Sequence, residues 1–293
     1  MTFQPPSPPP TFIHHASGQK THYIYNSFTD PWKPAPTILI QHGFGRHSAF
    51  WYHWIPFLSR HYNIIRRDLR GHGLSSYPSP SSPYPYTLST ILSEILDTLD
   101  QLQIPAVHFL GESTSGILGE ILAAKHPSRI LSLTICSSPT HLPPPALDLF
   151  AFGHKDWPTA CRALGSRGWT HELSKIPGTI PVSDPRYLPW YLDQISISDG
   201  EGLAGYAEFL SGLDARPYLE QIGVPMLILC PSESAAVRVV DMEDVERKVE
   251  RARLVVVEGG GHEIYVTRTE VCQRAFLEFL GGLEGEKKEG DGE

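Results

Sequence analysis

Apolar residues in this chain form short continuous runs that alternate with longer segments of helical spacing. Eight runs are typical of strands, at residues 11–15, 21–28, 37–41, 62–67, 107–110, 129–136, 224–230 and 253–258. Apolar residues at i, i+3, i+4 and i+7 predict a helix over 88–102, and helical segments also follow several other runs. Strands that alternate with helices imply right-handed crossovers. The pattern therefore predicts an α/β protein with a doubly wound, mostly parallel, eight-stranded sheet.

The alternation stops between residues 140 and 217. This stretch is rich in proline and tryptophan and contains short helical pieces but no buried strand pattern. We interpret it as a helical cap inserted into an α/β core formed by residues 11–139 and 218–280. The Pro-rich residues 1–10 and the acidic residues 281–293 are predicted to be disordered tails.

Charge and composition exclude several classes of protein. The formal net charge is −8, of which the acidic tail contributes −3, and no basic stripe is present. We therefore expect no nucleic-acid partner. No run of about 18 apolar residues exists, so no membrane span is expected. Residues 1–10 lack the basic flank and apolar centre of a secretory signal. The four cysteines are far apart, which favours buried free thiols, a reducing compartment and a cytoplasmic protein.

The most informative motif is a strand that runs into Gly-Glu-Ser-Thr-Ser at residues 111–115 and then into a helical segment. A sharp turn from strand to helix presents one side chain clear of the backbone, which suits a nucleophile. Ser113 occupies that position. The expected pattern is G-x-S-x-G, and here Ser115 precedes Gly116. Helix-capping serines in an ordinary strand–loop–helix are the alternative reading. Glu112 either lines a pocket or is held by a backbone amide.

A serine hydroxyl needs a base, and His262 follows three glycines directly after the last predicted strand. Most of the other 13 histidines must be structural or exposed to solvent. A tetrahedral intermediate also needs two backbone donors for its oxyanion. The amide of Thr114 and the amide of Phe44, in the loop His-Gly-Phe-Gly at 42–45, are the candidates.

These motifs, together with Asp-Leu-Arg-Gly-His-Gly-Leu-Ser at residues 68–75, resemble those of the α/β-hydrolase superfamily over roughly residues 11–280. The resemblance implies an enzyme with Ser113 as nucleophile, His262 as base, the amides of Phe44 and Thr114 as oxyanion donors, and no cofactor. Asp68 and Arg70 match a motif whose role in the superfamily is mostly structural. No metal site is indicated, because the histidines at 42, 47 and 53 lack ligand spacing and a companion carboxylate.

The third member of the expected triad departs from the superfamily pattern, since position 234, where an Asp is usual, is a serine. Glu233 is the nearest carboxylate and is our candidate for the acid. Asp241 is the next candidate. The other site that some members use, at the end of the preceding strand, reads Ser137-Ser138.

The resulting hypothesis is a serine hydrolase that cleaves a carboxylic ester or lactone of an apolar small molecule, with or without a ring, through an acyl-enzyme. Trp157, Tyr187 and Trp190 are candidate substrate-binding residues, although each could instead belong to the core of the cap. Carbon–carbon bond hydrolysis or other non-ester chemistry on the same residues is one alternative. A receptor that binds a small molecule without turnover is another, and it is kept open by the serine at position 234. The chain is expected to be a monomer or homodimer.

Overall fold

The computed structural model describes residues 9–79, 84–180 and 184–290. Eight strands form one sheet: β1 (Thr11–His14), β2 (Lys20–Asn26), β3 (Thr37–Gln41), β4 (Asn63–Arg67), β5 (Val107–Glu112), β6 (Ile130–Cys136), β7 (Met226–Pro231) and β8 (Ala252–Val257). Their order is β1-β2-β4-β3-β5-β6-β7-β8. The pairs β1–β2 and β2–β4 are antiparallel, and the other five are parallel. The predicted fold class is confirmed.

Helices cover both faces of this sheet. The described residues form α1 (Ile55–Leu58), α2 (Leu88–Gln101), α3 (Thr114–Lys125), α4 (Pro144–Ala151), α5 (Trp157–Ser174), α6 (Tyr187–Ile195), α7 (Gly200–Ser211), α8 (Val239–Lys248), α9 (Ile264–Thr267) and α10 (Thr269–Gly290). Three 3₁₀ segments span Ser48–Trp54, Pro127–Arg129 and Arg216–Gln221. Every residue of β3, β5 and β7 is buried, as expected for parallel strands covered on both sides.

Two predicted elements differ from the structure. The helix expected after β3 is a 3₁₀ segment followed by the short α1, because Pro56 has no N–H to donate and lies in the first turn of a new helix. The last helix, α10, continues to Gly290, whereas residues 281–293 were predicted to be disordered. The tail predicted at residues 1–10 lies almost wholly outside the described residues.

Helices α4 to α7 lie between β6 and β7 and form what we call the inserted helical segment. Its two ends run side by side: His141 pairs with Asp214 in an isolated bridge, and Ala215 N donates to Thr140 O at 2.9 Å. The described part of this segment contains no strand beyond that bridge. The chain therefore leaves the sheet and returns to it at one place.

Two expectations from the sequence concern the cysteines and membrane-spanning segments. All four cysteines are free and buried, as predicted. Within the three described ranges, no helix is both long and apolar enough to cross a bilayer.

Asp68, just past the end of β4, joins three parts of the fold. Its buried carboxylate accepts hydrogen bonds from Ser48 N at 2.8 Å, from Leu74 N at 2.9 Å and from His22 Nδ1 at 2.8 Å. Burial acts to raise the pKa of Asp68, but the His22 hydrogen bond and neighbouring histidines bring it below its ordinary value. The ionised carboxylate thus fixes the loop after β3, the loop after β4 and strand β2 together.

Asp68→Ala should lower the free energy of unfolding by about 3 kcal/mol, because three donors to a buried charge lose their acceptor. Urea denaturation monitored by circular dichroism measures this loss. Asp100→Ala is the matched control: Asp100 is 63% exposed and pairs with Arg129, so the change should stay within about 1 kcal/mol. Equal losses in the two variants would contradict the role given to Asp68.

Candidate active site

The candidate site lies where the order of the strands reverses. From β3 the chain passes to β4 on one side, and β5 then pairs with β3 on the other side. In doubly wound sheets the crevice at the carboxyl ends of two such strands is the usual ligand site. Here the loop 42–45 follows β3, and Ser113 follows β5. His262, from the loop after β8, reaches the same place.

Ser113 adopts an unusual backbone conformation, with φ 54° and ψ −128°. This is a strained region for a residue with a side chain, and such strain concentrates at functional turns. Neighbouring glycines make the turn possible. A Cβ at Gly43 would lie 2.7 Å from Ser113 Cβ, and a Cβ at Gly111 would lie 2.5 Å from Ser115 O. Backbone segments can approach this closely only because both positions lack a side chain.

Ser115 is the residue that departs from the G-x-S-x-G pattern, and the fold accommodates it. Its Oγ donates to His42 O at 2.6 Å, which ties the start of α3 to the loop after β3. The closest packing falls one residue later, where a Cβ at Gly116 would overlap the side chain of Ser138. The small residue that this turn requires is therefore present, shifted by one position.

Ser113 and His262 are brought together: Oγ lies 3.0 Å from His262 Nε2. His262 N donates to Gly178 O of the inserted helical segment at 2.7 Å, which holds the loop after β8. Burial, and then the positive charge of Arg46, lower the pKa of His262 to about 3. The imidazole is therefore neutral near pH 7, as a general base must be.

The structure does not bring the predicted acid to His262. Nδ1 lies 3.3 Å from Ser234 Oγ, and the side chain of Glu233 is exposed to solvent. Ser234 Oγ also accepts from Ala236 N at 3.1 Å, a local turn that directs this side chain inward and its neighbour outward. Asp241 pairs with Arg238 on the exposed face of α8. The expectation that Glu233 orients His262 is thus corrected, because a hydroxyl occupies that place.

The two candidate oxyanion donors lie next to Ser113. Phe44 N donates to Thr114 Oγ1 at 3.2 Å, so this amide already has an acceptor. Thr114 is the first residue of α3, and the first amides of a helix have no acceptor within the helix. The positive end of the α3 dipole also favours negative charge here. An oxygen that replaces Thr114 Oγ1 at Phe44 N would meet both donors.

A cluster of buried charges lies beneath this pair. Arg46 donates to Glu263 Oε1 from Nε at 3.0 Å and from Nη2 at 2.5 Å, and its Nη1 lies 3.4 Å from Glu112 Oε1. Tyr187 donates to Glu263 Oε2 at 2.9 Å. Burial alone would lower the pKa of Arg46, but Glu112 and Glu263 raise it well above its usual value. Burial raises the pKa of Glu112, while Arg46 opposes that shift.

An apolar cavity of about 60 Å³ opens beside Ser113 and His262. Most of the other side chains that line it come from the inserted helical segment and from the loops after β3, β6 and β7: Phe44, Arg46, Pro139, Leu142, Ala146, Leu149, Phe150, Trp157, Trp169, Leu173, Thr179, Ala235 and Ala236. Trp157, one of the three predicted substrate-binding residues, is among the lining residues.

Tyr187 and Trp190, the other two predicted substrate-binding residues, are not among the lining residues of this cavity. Tyr187 is held by Glu263, and the Trp190 ring packs 5.1 Å from the Phe50 ring. The aromatic face of α6 is therefore used for contact with the core. The helix α4, which supplies Leu149 and Phe150, was not singled out from the sequence.

Arg46, Glu112 and Glu263 are the site residues that sequence reasoning missed or left undecided. The available signals were weak. Arg46 directly follows the glycine-containing loop at 42–45, and Glu263 directly follows His262. Neither feature indicates that the two residues, 217 positions apart, form one ion pair.

Two buried histidines hold the loop that carries Phe44. His42 Nε2 accepts from Leu69 N at 2.9 Å, and His72 Nε2 accepts from Gly45 N at 3.1 Å. Their Nδ1 atoms lie 2.8 Å from Gly43 O and 3.0 Å from Arg70 O. These bonds require neutral rings. Accordingly, burial lowers the pKa of His42 well below its usual value and that of His72 to about 4.

Comparison with known proteins agrees with this geometry. The family described as the alpha/beta hydrolase fold matches residues 36–170. Together with the strand order and the serine turn after β5, this match shows that the chain has the α/β-hydrolase fold.

Relatives with named activities are distant. The chain is 25% identical over 230 residues to 3-oxoadipate enol-lactonase 2 of Acinetobacter baylyi, covering 76% of this chain and 80% of that protein. It is 23% identical to a candidate carbamate hydrolase, RutD, of Agrobacterium fabrum, covering 88% and 97%. The crystal structure of an enol-lactonase from Burkholderia xenovorans superposes with a TM-score of 0.79 at 23% identity, covering 92% and 100%. These relatives are named as hydrolases of different bonds.

Acid should destabilise the fold through these neutral histidines. The unfolded chain binds protons on histidine near pH 6.5 and the folded site does not, so stability falls as the pH drops from about 6.5 toward the folded pKa values. His262 alone should account for about 2 kcal/mol between pH 6.5 and 5. Urea denaturation at pH 7.5 and 5.0 measures the loss.

His262→Gln should remove the part of the pH dependence of the free energy of unfolding that His262 contributes. His61→Gln, at an exposed position, should leave that pH dependence unchanged. An identical pH dependence in His262→Gln and the parent would refute the assignment of a neutral, buried His262.

Proposed function

We propose that the protein is a cofactor-free serine hydrolase that cleaves a carboxylic ester or lactone of an uncharged, apolar small molecule. The observation that carries the proposal is the 3.0 Å contact between Ser113 Oγ and His262 Nε2 at the mouth of an apolar cavity. The strained turn at Ser113 supports it, because such turns present a nucleophile, and the imidazole of His262 is neutral and so has a nitrogen free to accept a proton.

In the proposed reaction, Ser113 Oγ attacks the carbonyl carbon, and its proton passes to His262 Nε2. The oxyanion takes the place of Thr114 Oγ1 at Phe44 N and also accepts from Thr114 N. Collapse expels the alcohol oxygen, which takes the proton from Nε2, and leaves an acyl-enzyme. His262 then removes a proton from water, whose oxygen attacks the acyl carbon. The bond from that carbon to Ser113 Oγ breaks, Oγ takes the proton from His262 Nε2, and the acid is released. The ring's own proton lies on Nδ1, which donates to Ser234 Oγ.

We propose further that the inserted helical segment, within the predicted bounds 140–217, is a cap that selects the substrate. Its helices α4 and α5 supply Leu149, Trp157 and Trp169 to the cavity. The cavity is small and apolar, which favours a small apolar group on the acyl side of the substrate.

A carbamate is the second candidate substrate, because one group of relatives is named for carbamate hydrolysis. The same attack on a carbonyl carbon would apply, with an amine or alcohol as the leaving group. A panel of p-nitrophenyl esters, a γ-lactone and an aryl carbamate, each tested at the same concentration, separates the two. Binding of the panel without turnover would instead support the receptor alternative.

A fluorophosphonate probe should label Ser113 covalently, and peptide mass spectrometry locates the adduct. Ser113→Ala should abolish labelling, and His262→Ala should slow it by about 1,000-fold, since the base is lost. Ser138→Ala is the matched control, because Ser138 lies behind α3 and makes no contact with His262 in the described structure, so labelling should persist. Labelling that survives in Ser113→Ala would refute the proposal.

A further inference from the structure

We propose that Glu112 supplies the negative charge that stabilises His262 in its protonated form, the role left open by the serine at position 234. The inference rests on the proposed function, because it concerns the transfer of the Ser113 proton to His262. It makes Glu112 a positioning residue that acts through His262 and does not touch the substrate.

The geometry of Glu112 is unusual for a structural carboxylate. Its Oε2 accepts a hydrogen bond from Gly43 N at 2.6 Å. Its Oε1 is buried and has no hydrogen-bond partner among the described residues; it lies 3.4 Å from Arg46 Nη1 and 4.0 Å from His262 Nε2. A buried carboxylate oxygen without a donor is costly unless another charge compensates it. The nearest group able to become such a charge on demand is the imidazole of His262.

Glu112 shares its nearest cation, Arg46, with Glu263. The guanidinium of Arg46 directs its Nε and Nη2 to Glu263, and a third nitrogen, Nη1, donates to Phe44 O at 3.3 Å. Glu263 receives a further hydrogen bond from Tyr187. The buried cluster therefore holds two carboxylates and one guanidinium. Protonation of His262 gives it a second cation.

The remaining ionisable groups that face the cluster are Tyr187 and Tyr191 of α6, Tyr265 of α9 and Cys136 of β6. Burial raises the pKa of each tyrosine, and the contact with Cys272, together with burial, raises the pKa of Cys136. All four are uncharged near neutral pH. None of them supplies or cancels the charge at Glu112.

The proton balance of the step is simple. The Ser113 O–H bond breaks as the Oγ–carbon bond forms, and the proton binds His262 Nε2. Glu112 takes no proton; its charge lowers the energy of the imidazolium until Nε2 gives the proton to the leaving oxygen. A triad acid stabilises the charge of the imidazolium from the Nδ1 side. In this proposal, Glu112 stabilises the same charge from the Nε2 side of the ring.

Glu112→Gln tests the inference, because the amide oxygen of Gln still accepts from Gly43 N while the charge is lost. With p-nitrophenyl butyrate, kcat should fall about 100-fold and KM should change by less than about threefold. Fluorophosphonate labelling should slow in parallel. Glu120→Gln is the matched control: Glu120 is also fully buried on α3 without a hydrogen-bond partner for its carboxylate, and kcat should stay within about twofold of the parent.

Rescue separates a charge effect from a packing effect. Ser234→Asp in the Glu112→Gln background places a carboxylate at Nδ1 and should restore kcat by about tenfold or more. Glu233→Gln and Asp241→Asn should leave kcat within about twofold of the parent. These two variants also decide the matter if Glu112→Gln does not fold, since a loss above about tenfold in either overturns the inference.

The outcomes separate the two proposals. A parent that shows neither labelling nor turnover refutes the proposed function and this inference with it. An active, labelled parent whose Glu112→Gln variant keeps kcat within about threefold refutes this inference alone.

Discussion

The structure of the site depends on one constraint, the close approach of three backbone segments around Ser113. The loop after β3, the end of β5 and the start of α3 meet at distances that only Gly43 and Gly111 permit. Because the segments are fixed in this way, the left-handed turn at Ser113 is held by its surroundings and its side chain is directed toward His262. The same approach places the amide of Phe44 beside the first turn of α3. The proposed nucleophile and the proposed oxyanion donors are thus positioned by a single packing arrangement.

Burial determines which ionisable groups around Ser113 are charged. Three histidines near this turn are neutral because water is excluded from them, and two of them use their rings to hold the loop of Phe44. Arg46 keeps its charge because Glu112 and Glu263 flank it. A neutral base beside a surplus buried carboxylate is suited to accept a proton. In the proposed mechanism, burial of the Glu112 carboxylate is unfavourable in the resting site, and the positive charge formed on His262 offsets part of that free energy.

Ser113 and His262 could be predicted from sequence because each follows a strand, and the carboxyl ends of parallel strands meet at one edge. Glu233 could not be judged in the same way. In the loop after β7, Ser234 faces His262, whereas the preceding residue, Glu233, faces solvent. Side-chain direction in a loop follows no periodic sequence pattern, so it could not be predicted. Tyr187 and Trp190 were predicted as substrate-binding residues because they are aromatic. Which side chains of α6 face the cavity depends, however, on the packing of this helix against Phe50 and Glu263. The ion pair of Arg46 and Glu263 is a tertiary contact with no local signature.

The most direct test of the central claim is a crystal structure of the phosphonate adduct. The account predicts a covalent bond from Ser113 Oγ to phosphorus, with the phosphoryl oxygen about 2.7–3.1 Å from both Phe44 N and Thr114 N. Thr114 Oγ1 should have left Phe44 N, and Glu112 should remain beside His262. An adduct on another residue, or a phosphoryl oxygen directed away from these two amides, would contradict the account.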